Sequence, residues 1–209
     1  MNLNFEKKLW KNNKYIFGLD EVGRGPLAGP VVVCAVYVEA FLKLPKEILL
    51  VVKDSKKLSY QKRDIIVKKI RKIRGIDFAI AKSSEKEIDK TNILKATLKA
   101  FKKAVIKLEK KINRKPNLIA IDGNKIIKDL VNYKQQSIIK GDNKIFSIAL
   151  ASIIAKEYRD DLMKKYSKKY PKYGFEIHKG YGTKKHIECL KKFGCCEIHR
   201  KNFVKNILK

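Results

Sequence analysis

Apolar runs along the chain predict buried β-strands. The clearest runs lie at residues 15–20, 30–38 and 117–123, and a shorter run lies at residues 77–82. Continuous apolar residues without polar alternation are typical of strands that are covered on both faces. Because a glycine-rich turn separates the first two runs, we expect those strands to pair as neighbours.

Between the strands, apolar positions recur with helical spacing. Helices are predicted over residues 60–74, 93–112, about 146–160 and 184–193. Ser84 and Glu87 have the S-x-x-E spacing of a capping box, which predicts a helical turn that begins there. The alternation of strands and helices predicts an α/β domain with helices flanking a central sheet.

Acidic residues follow three of the apolar runs. Asp20 and Glu21 follow the first run, Asp122 follows the run that begins at Asn117, and Asp142 follows a short later run. These side chains converge only if their strands run parallel and lie adjacent, as α/β connections permit. Since neighbouring strand residues point to opposite faces, Asp20 and Glu21 share one site only if the chain turns at Glu21. Four such carboxylates would repel one another unless divalent cations neutralised them.

A glycine-rich turn follows the first pair of acids. Gly23 and Gly25, on either side of Arg24, would let the backbone approach a phosphate or a sugar closely. The alternative is an ordinary tight turn with solvated acids. On these residues alone both interpretations stay open.

The charge of the chain indicates a polyanionic partner. The 209 residues carry a formal net charge of +29, and 44% of them are hydrophobic, which suits one globular domain. A strongly positive field attracts nucleic acid first and an acidic membrane surface second. However, lysine greatly outnumbers arginine, and an AT-rich genome would produce that bias without selection for binding.

The cysteines and the hydropathy pattern favour a reduced, cytoplasmic protein. No signal peptide and no apolar run of about 20 residues is visible. Cys34 lies in a strand and is expected in the core. Cys189, Cys195 and Cys196 lie near two histidines, but they form no C-x-x-C pair, so a zinc site is disfavoured.

Two further segments have the composition of nucleic-acid contacts. Residues 171–183 are aromatic, basic and glycine-rich, and include Tyr173, His178, Lys179 and Tyr181. Aromatic rings beside lysines suit stacking on a sugar or base while ammonium groups meet phosphates. Residues 54–59 form a polar loop that contains Lys56. The start of a helix capped by Ser59 explains most of these residues equally well.

These motifs together resemble the type 2 ribonucleases H, specifically the ribonuclease HII family. The matching segments are GLDEVGRGPLAGPVV from residue 18, DSKKL from residue 54, GD at residues 141–142 with the helix after it, YGF and HKGYGT between residues 173 and 183, and HR--F at residues 199–203. The resemblance covers about residues 15–203, and Leu150 departs from it where alanine is usual. The related ribonuclease HIII has a glutamate as its fourth acid and an extra N-terminal domain. Asp142, and the roughly fourteen residues before the first strand, favour HII.

The resemblance implies a fold, a reaction and a set of site residues. It implies an RNase H-like fold, with a central mixed sheet flanked by helices and a small helical C-terminal extension. We therefore expect one domain over residues 1–209, with a catalytic core at about 14–170 and a substrate-contacting segment at about 171–209. The implied metal-binding and catalytic acids are Asp20, Glu21, Asp122 and Asp142, which would hold two Mg2+ or Mn2+ ions.

The implied substrates are RNA/DNA hybrids and DNA duplexes that contain ribonucleotides. Cleavage falls on the 5′ side of the ribonucleotide and leaves a 3′-hydroxyl and a 5′-phosphate. By the same resemblance, the backbone of Gly23, Arg24 and Gly25 reads the 2′-hydroxyl, and Tyr181 stacks on the sugar, with Tyr173 as the alternative ring. Further substrate-binding candidates are Lys56, His178 and Lys179. We expect a monomer without membrane contact.

Two other classes of protein share part of this pattern. A different metal-dependent nuclease or recombinase with an RNase H-like sheet would keep the scattered acids but lack the GRG and HKGYGT motifs. A non-catalytic basic RNA-binding protein would have the charge, but would need no acids at three strand ends.

Overall fold

The computed structural model describes residues 3–12, 14–53 and 58–208. The helices are α1 (Asn4–Trp10), α2 (Lys46–Lys53), α3 (Tyr60–Ile70), α4 (Glu85–Lys90), α5 (Ile93–Ile112), α6 (Phe146–Lys169), α7 (Phe175–His178), α8 (Lys184–Phe193) and α9 (Lys201–Val204). The strands are β1 (Ile16–Val22), β2 (Val31–Val38), β3 (Ile76–Ser83), β4 (Leu118–Asp122) and β5 (Gln135–Ile138). Within the described residues, no helix combines the length and the apolar character that a membrane crossing requires.

The strands form a single mixed sheet in the order β3-β2-β1-β4-β5. β1 pairs antiparallel with β2 and parallel with β4, and β4 pairs parallel with β5. The predicted pairing of the first two strands and the predicted mixed α/β sheet are therefore confirmed. β1 lies in the centre of the sheet, so its C-terminal end has β2 on one side and β4 on the other.

Helices cover both faces of the sheet. Helix α5 packs on one face through alanines and larger apolar residues that repeat with helical spacing, Ala100, Phe101, Ala104, Val105 and Leu108. Helix α6 packs on the other face together with α2 and α3. The central strands β1, β2 and β4 therefore have both faces buried along most of their length, which explains their continuous apolar runs.

Helix α6 lies unusually close to β1 because small residues meet at their contact. A methyl group added at Gly18 would lie 2.4 Å from Ser147 Oγ and 2.6 Å from the Ser147 carbonyl carbon. Leu150, the residue that departs from the family pattern, is fully buried in this layer. The layer accommodates its bulk, and the glycine lets the start of α6 approach the strand that carries two of the acids.

In the N-terminal part of the chain, the helices α1 and α2 have no counterpart in the sequence-based prediction. Helix α1 contributes Trp10 to the core, and the buried Glu6 accepts a 3.2 Å hydrogen bond from the backbone N–H of Ser147 at the start of α6. A carboxylate at this end complements the helix dipole, while burial raises the pKa of Glu6 to about 7. The α1 segment is polar and rich in lysine, and its sequence did not predict this long-range contact.

The C-terminal helices pack against the loop that joins β1 to β2. Ala28 forms an isolated antiparallel bridge with His199, and Ala28 also packs in a small apolar cluster with Met163, Tyr173 and Phe175. The predicted helical C-terminal extension is therefore confirmed, and it is joined to the glycine-rich loop near the acids.

We expect Gly18→Ala to destabilise the protein by about 1–3 kcal/mol, because the new methyl group meets backbone atoms that cannot move independently. Urea unfolding followed by circular dichroism measures the change. Gly25→Ala is the matched control, since a methyl group there meets no atom within 4 Å. A Gly18→Ala protein as stable as the control would contradict the close packing of α6 on β1.

Candidate active site at the ends of β1 and β4

The parallel pairing of β1 with β4 places two predicted acids side by side. Leu19 lies opposite Ile121 in the register, so the next residues, Asp20 and Asp122, lie at the same level of the sheet. Leu19 and Ile121 pack in the core on the α5 side. Alternation along each strand therefore directs Asp20 and Asp122 toward the face covered by α6.

Asp20 is held in a place where ionisation is unfavourable. Its side chain is buried, its Oδ1 accepts a 2.7 Å hydrogen bond from the backbone N–H of Glu21, and the Ser152 hydroxyl of α6 also bonds to it. Burial raises the pKa of Asp20 well above its usual value, and the charges of Glu21 and Asp122 raise it further. The hydrogen bonds oppose that shift but do not cancel it.

The expected turn at Glu21 is wrong. Pairing with β2 continues through Val22, and the chain turns at Gly23, where φ is +88°. Nevertheless Glu21 interacts electrostatically with the site. Burial raises the pKa of Glu21, the Arg24 guanidinium lowers it through a 3.3 Å contact between Nη1 and Oε1, and the charge of Asp122 raises it.

Asp142 lies beside the β4 acid because a short turn is docked there. The 3₁₀ turn Gly141–Asn143 precedes α6, and the backbone N–H of Gly141 donates a 2.7 Å hydrogen bond to Asp122 Oδ1. A methyl group at Gly141 would lie 2.9 Å from Ile148 Cδ1. Asp142 itself is buried. The predicted acids therefore gather at one end of the sheet, near the N-terminal end of α6.

The acids present the donors that hard divalent cations prefer. They offer only carboxylate oxygens, which suit Mg2+ and Mn2+, and the raised pKa values of Asp20 and Glu21 mark negative charge that a cation would stabilise. Among the described residues, no group of three or more His, Cys, Asp or Glu side chains is already arranged around a point that could hold an ion.

Two buried arginines hold the glycine-rich loop in place. Arg200 donates hydrogen bonds of 2.6–2.9 Å to the carbonyls of Gly23, Arg24 and Gly29. Arg159 of α6 donates to the carbonyls of Ala28, Pro30 and Lys179, and a methyl group at Gly23 would lie 2.2 Å from its Nε. Both guanidinium groups are fully buried. Burial and the charge of Arg159 lower the pKa of Arg200 to about 9.

Sequence reasoning did not assign a role to Arg159, Arg200 or Ser152. The available signal for the arginines was composition, because the chain has seven arginines among its 50 basic residues. An arginine where lysine would be the default indicates that its planar, multiply donating group is needed.

The aromatic and basic candidates separate clearly in the structure. The Tyr181 ring is 41% exposed, and the Arg159 Cζ lies 5.9 Å from its centroid. Tyr173 is instead buried, stacks on Phe175, and donates its hydroxyl to the Gly194 carbonyl over 3.0 Å. The accessible ring is therefore that of Tyr181.

His178 does not lie where a phosphate contact would need it. Its ring is buried, and both its nitrogens bond to backbone groups of Tyr173 and Gly180. The expectation that His178 touches the substrate is thus replaced by a role within the loop. Lys179 is half-buried and its side chain donates to the Glu176 carbonyl. Lys56 lies outside the described residues.

Comparison with known proteins identifies close relatives. The family model described as Ribonuclease HII matches residues 17–206. A Ribonuclease HII of Caldanaerobacter subterraneus subsp. tengcongensis is 47% identical over 207 residues, which are 98% of this chain and 80% of that protein. A Ribonuclease HII of Chlorobium chlorochromatii is 44% identical over 204 residues, 97% of this chain and 96% of the relative.

Solved structures share the same fold. A ribonuclease H2 from Pyrococcus horikoshii is 27% identical and superposes with a TM-score of 0.75, covering 93% of this chain and 97% of that one. An RNase HIII described as a complex with Mn2+ is 21% identical, with a TM-score of 0.68 over 93% of this chain and 70% of that one. At 21% identity, the similarity to the RNase HIII shows a shared fold alone.

The raised pKa of Asp20 predicts how stability depends on pH without metal. An acid whose pKa is raised by folding binds more protons in the folded state, so stability falls as pH rises from the usual Asp value of 3.8 toward the raised value. In EDTA at pH 8, Asp20→Asn is therefore expected to be more stable than the unaltered protein, by on the order of 1 kcal/mol. That gain should vanish near pH 4, as thermal unfolding measures.

The matched control is Asp129→Asn, because Asp129 pairs with Lys102 at an exposed position and surface pairs contribute little. Millimolar Mg2+ should then stabilise the unaltered protein more than Asp20→Asn. A variant that is equally destabilised at both pH values, with or without Mg2+, would contradict the picture of repelling carboxylates.

Proposed function

The chain belongs to the ribonuclease HII family of endoribonucleases, which act on RNA/DNA hybrids, and we propose that it also cuts DNA duplexes on the 5′ side of embedded ribonucleotides. The products are a 3′-hydroxyl and a 5′-phosphate. The observation that carries this proposal is the gathering of acids at the ends of β1 and β4, two of them buried, beside a glycine-rich loop and an exposed aromatic ring.

The proposed catalytic and metal-binding residues are Asp20, Glu21, Asp122 and Asp142. Asp20 and Asp122 leave neighbouring strands at one level, and the backbone just before Asp142 bonds to Asp122. Two divalent cations held by these acids would supply the activation of a water and the stabilisation of charge on the leaving oxygen of the phosphodiester. The proposed cofactor is Mg2+ or Mn2+, because both ions prefer oxygen donors.

The residues of the protein orient the acids before any cation arrives. Ser152 and the Glu21 backbone N–H bond to Asp20, while the Gly141 N–H bonds to Asp122. Each of these donors belongs to a strand, a turn docked on a strand, or a long helix. Such support limits the motion of the carboxylates, so that little reorganisation is needed during the reaction.

Recognition of the ribonucleotide is assigned to two neighbouring elements. The backbone of Gly23, Arg24 and Gly25 would read the 2′-hydroxyl and place the scissile phosphate, since only RNA carries that group. The second element is the ring of Tyr181, which would stack on the sugar at the junction.

The two reading elements are joined to each other directly. The backbone N–H of Leu27 donates a 2.8 Å hydrogen bond to the Gly180 carbonyl, and Arg159 bonds to carbonyls on both sides of this contact. The distance between the glycine-rich loop and Tyr181 is therefore set by the fold. A fixed distance suits an enzyme that must test a sugar and position a phosphate at once.

The remaining assignments follow the same arrangement. The domain comprises one catalytic core and a C-terminal segment, residues 171–209, that presents Tyr181 and the half-buried Lys179 to nucleic acid. The net charge of +29 supports attraction to phosphates. We propose that the protein acts as a monomer, because every assigned residue belongs to one chain.

The test is cleavage of a DNA duplex with one ribonucleotide, beside an all-DNA duplex of the same sequence, in Mg2+ or Mn2+. We expect cleavage of the first duplex only. Asp122→Asn should reduce the rate at least about 100-fold, because the isosteric amide keeps the bond from Gly141 but removes a charge that cations need. Asp129→Asn should cleave normally.

The other classes of protein give different results in this assay. Equal nicking of both duplexes would indicate a general nuclease, and binding without any cleavage would indicate an RNA-binding protein. Cleavage of RNA/DNA hybrids but not of the single-ribonucleotide duplex would leave the family assignment standing and overturn the wider substrate range.

A further inference from the structure

The three histidines of the chain form one buried stack in the C-terminal segment. The rings of His178 and His186 are parallel within 14°, with centroids 4.3 Å apart. The ring of His199 follows, with its centroid 5.3 Å from that of His186. The stack lies beneath the loop that carries Tyr181.

Backbone groups at the ends of the stack fix the position of each ring proton. The Cys196 N–H donates to His199 Nδ1 over 2.9 Å, whereas the Cys196 carbonyl lies farther away, at 3.3 Å. An amide nitrogen can only donate, so His199 Nδ1 accepts and its proton lies on Nε2. His199 Nε2 is 3.1 Å from His186 Nε2, which must then accept. The proton of His186 therefore lies on Nδ1 and is donated to the Tyr181 carbonyl over 2.9 Å.

The same reasoning applies to His178. The Gly180 N–H donates to its Nδ1 over 3.2 Å, so the proton lies on Nε2 and is donated to the Tyr173 carbonyl over 2.7 Å. Each of the three rings thus has one donor and one acceptor, both used. A second proton on any ring would place two N–H groups against each other.

The surroundings also favour neutral rings. Burial is the main cause that lowers the pKa of His199 to about 4, and the neighbouring His186 ring lowers it further. Burial also lowers the pKa of His186 to about 4. The charged or titratable groups around the stack are Glu176, Lys179 and Lys185 near His178, and Tyr173 and Cys196 near His199, with Cys189 and Cys195 near Tyr173. The hydrogen bond to the Tyr173 carbonyl and the charge of Glu176 favour an added proton on His178, but burial outweighs both and lowers its pKa.

We propose that His186, with its proton placed by His199 and its ring stacked on His178, is a positioning residue that fixes the backbone of Tyr181 for ribonucleotide recognition. The Tyr181 carbonyl accepts from His186 and from the Thr183 N–H, while the Tyr181 N–H donates to the His178 carbonyl. These bonds hold the tyrosine backbone on both sides, so the backbone that carries the exposed ring needs no ordering when substrate binds. The inference rests on the proposed role of Tyr181.

A double-mutant cycle with Tyr181 tests this role. We expect His186→Phe, which keeps the ring shape but loses both polar atoms, to lower kcat/KM on the single-ribonucleotide duplex about 10-fold. In a Tyr181→Ala background the same change should cost less than about 2-fold, because no ring remains to be positioned. His186→Asn, whose amide can donate where Nδ1–H does, should restore most of the activity.

The control variant is Leu108→Ala, a buried change in α5 on the opposite side of the sheet. It should lower thermal stability while leaving kcat/KM close to normal in both backgrounds. If Tyr181→Ala itself leaves cleavage unchanged, the proposed role of Tyr181 fails, and the inference fails with it. If Tyr181→Ala impairs cleavage but His186→Phe adds its full effect on top, only the inference is overturned.

A direct measurement does not depend on how the variants fold. Nitrogen NMR of the ¹⁵N-histidine-labelled protein at pH 5.5 should show three neutral rings, with the proton on Nδ1 of His186 and on Nε2 of His178 and His199. A free histidine would be largely protonated at that pH. A charged ring, or the opposite tautomer at His186, would overturn the proposal.

Discussion

The burial of Asp20 among other carboxylates is the constraint on which the structure of the site depends. Parallel pairing of β1 with β4 places Asp20 beside Asp122, and burial makes the negative charge of Asp20 costly. A protein gains no stability from such an arrangement. The proposed function accounts for it by the cations that the acids would hold, and this would make the site distinct from an ordinary polar strand end.

The rest of the molecule keeps those charges and the reading elements in fixed positions. Close packing of α6 on Gly18 brings Ser152 within reach of Asp20, and the same helix carries Arg159 beneath the glycine-rich loop. The buried guanidinium groups donate to backbone carbonyls. The loop is therefore stiff despite its glycines, and the neutral histidine stack serves the Tyr181 loop in the same way. A single long helix thus links the acids to both elements proposed to recognise substrate.

Much of this arrangement could be predicted because it is local in the sequence. Apolar runs gave the strands, and an acid after each of several runs indicated a shared edge, while the glycine-rich and HKGYGT motifs indicated the family. The contacts between segments that are distant in the sequence could not be predicted. The pairing of β1 with β2 beyond Glu21 depends on a partner strand, and the contact of Glu6 with α6 joins residues 141 positions apart. His178 lies in a basic, glycine-rich motif that predicted a substrate contact. Its burial depends on the packing of the C-terminal helices.

The most direct test of the account is a crystal structure of the protein with Mn2+, in which anomalous scattering locates the ions independently of the protein atoms. The account predicts Mn2+ within about 2.0–2.3 Å of carboxylate oxygens from Asp20, Asp122 and Asp142. Mn2+ bound elsewhere, for example at the histidine stack, with the acids left without an ion at saturating concentration, would contradict it.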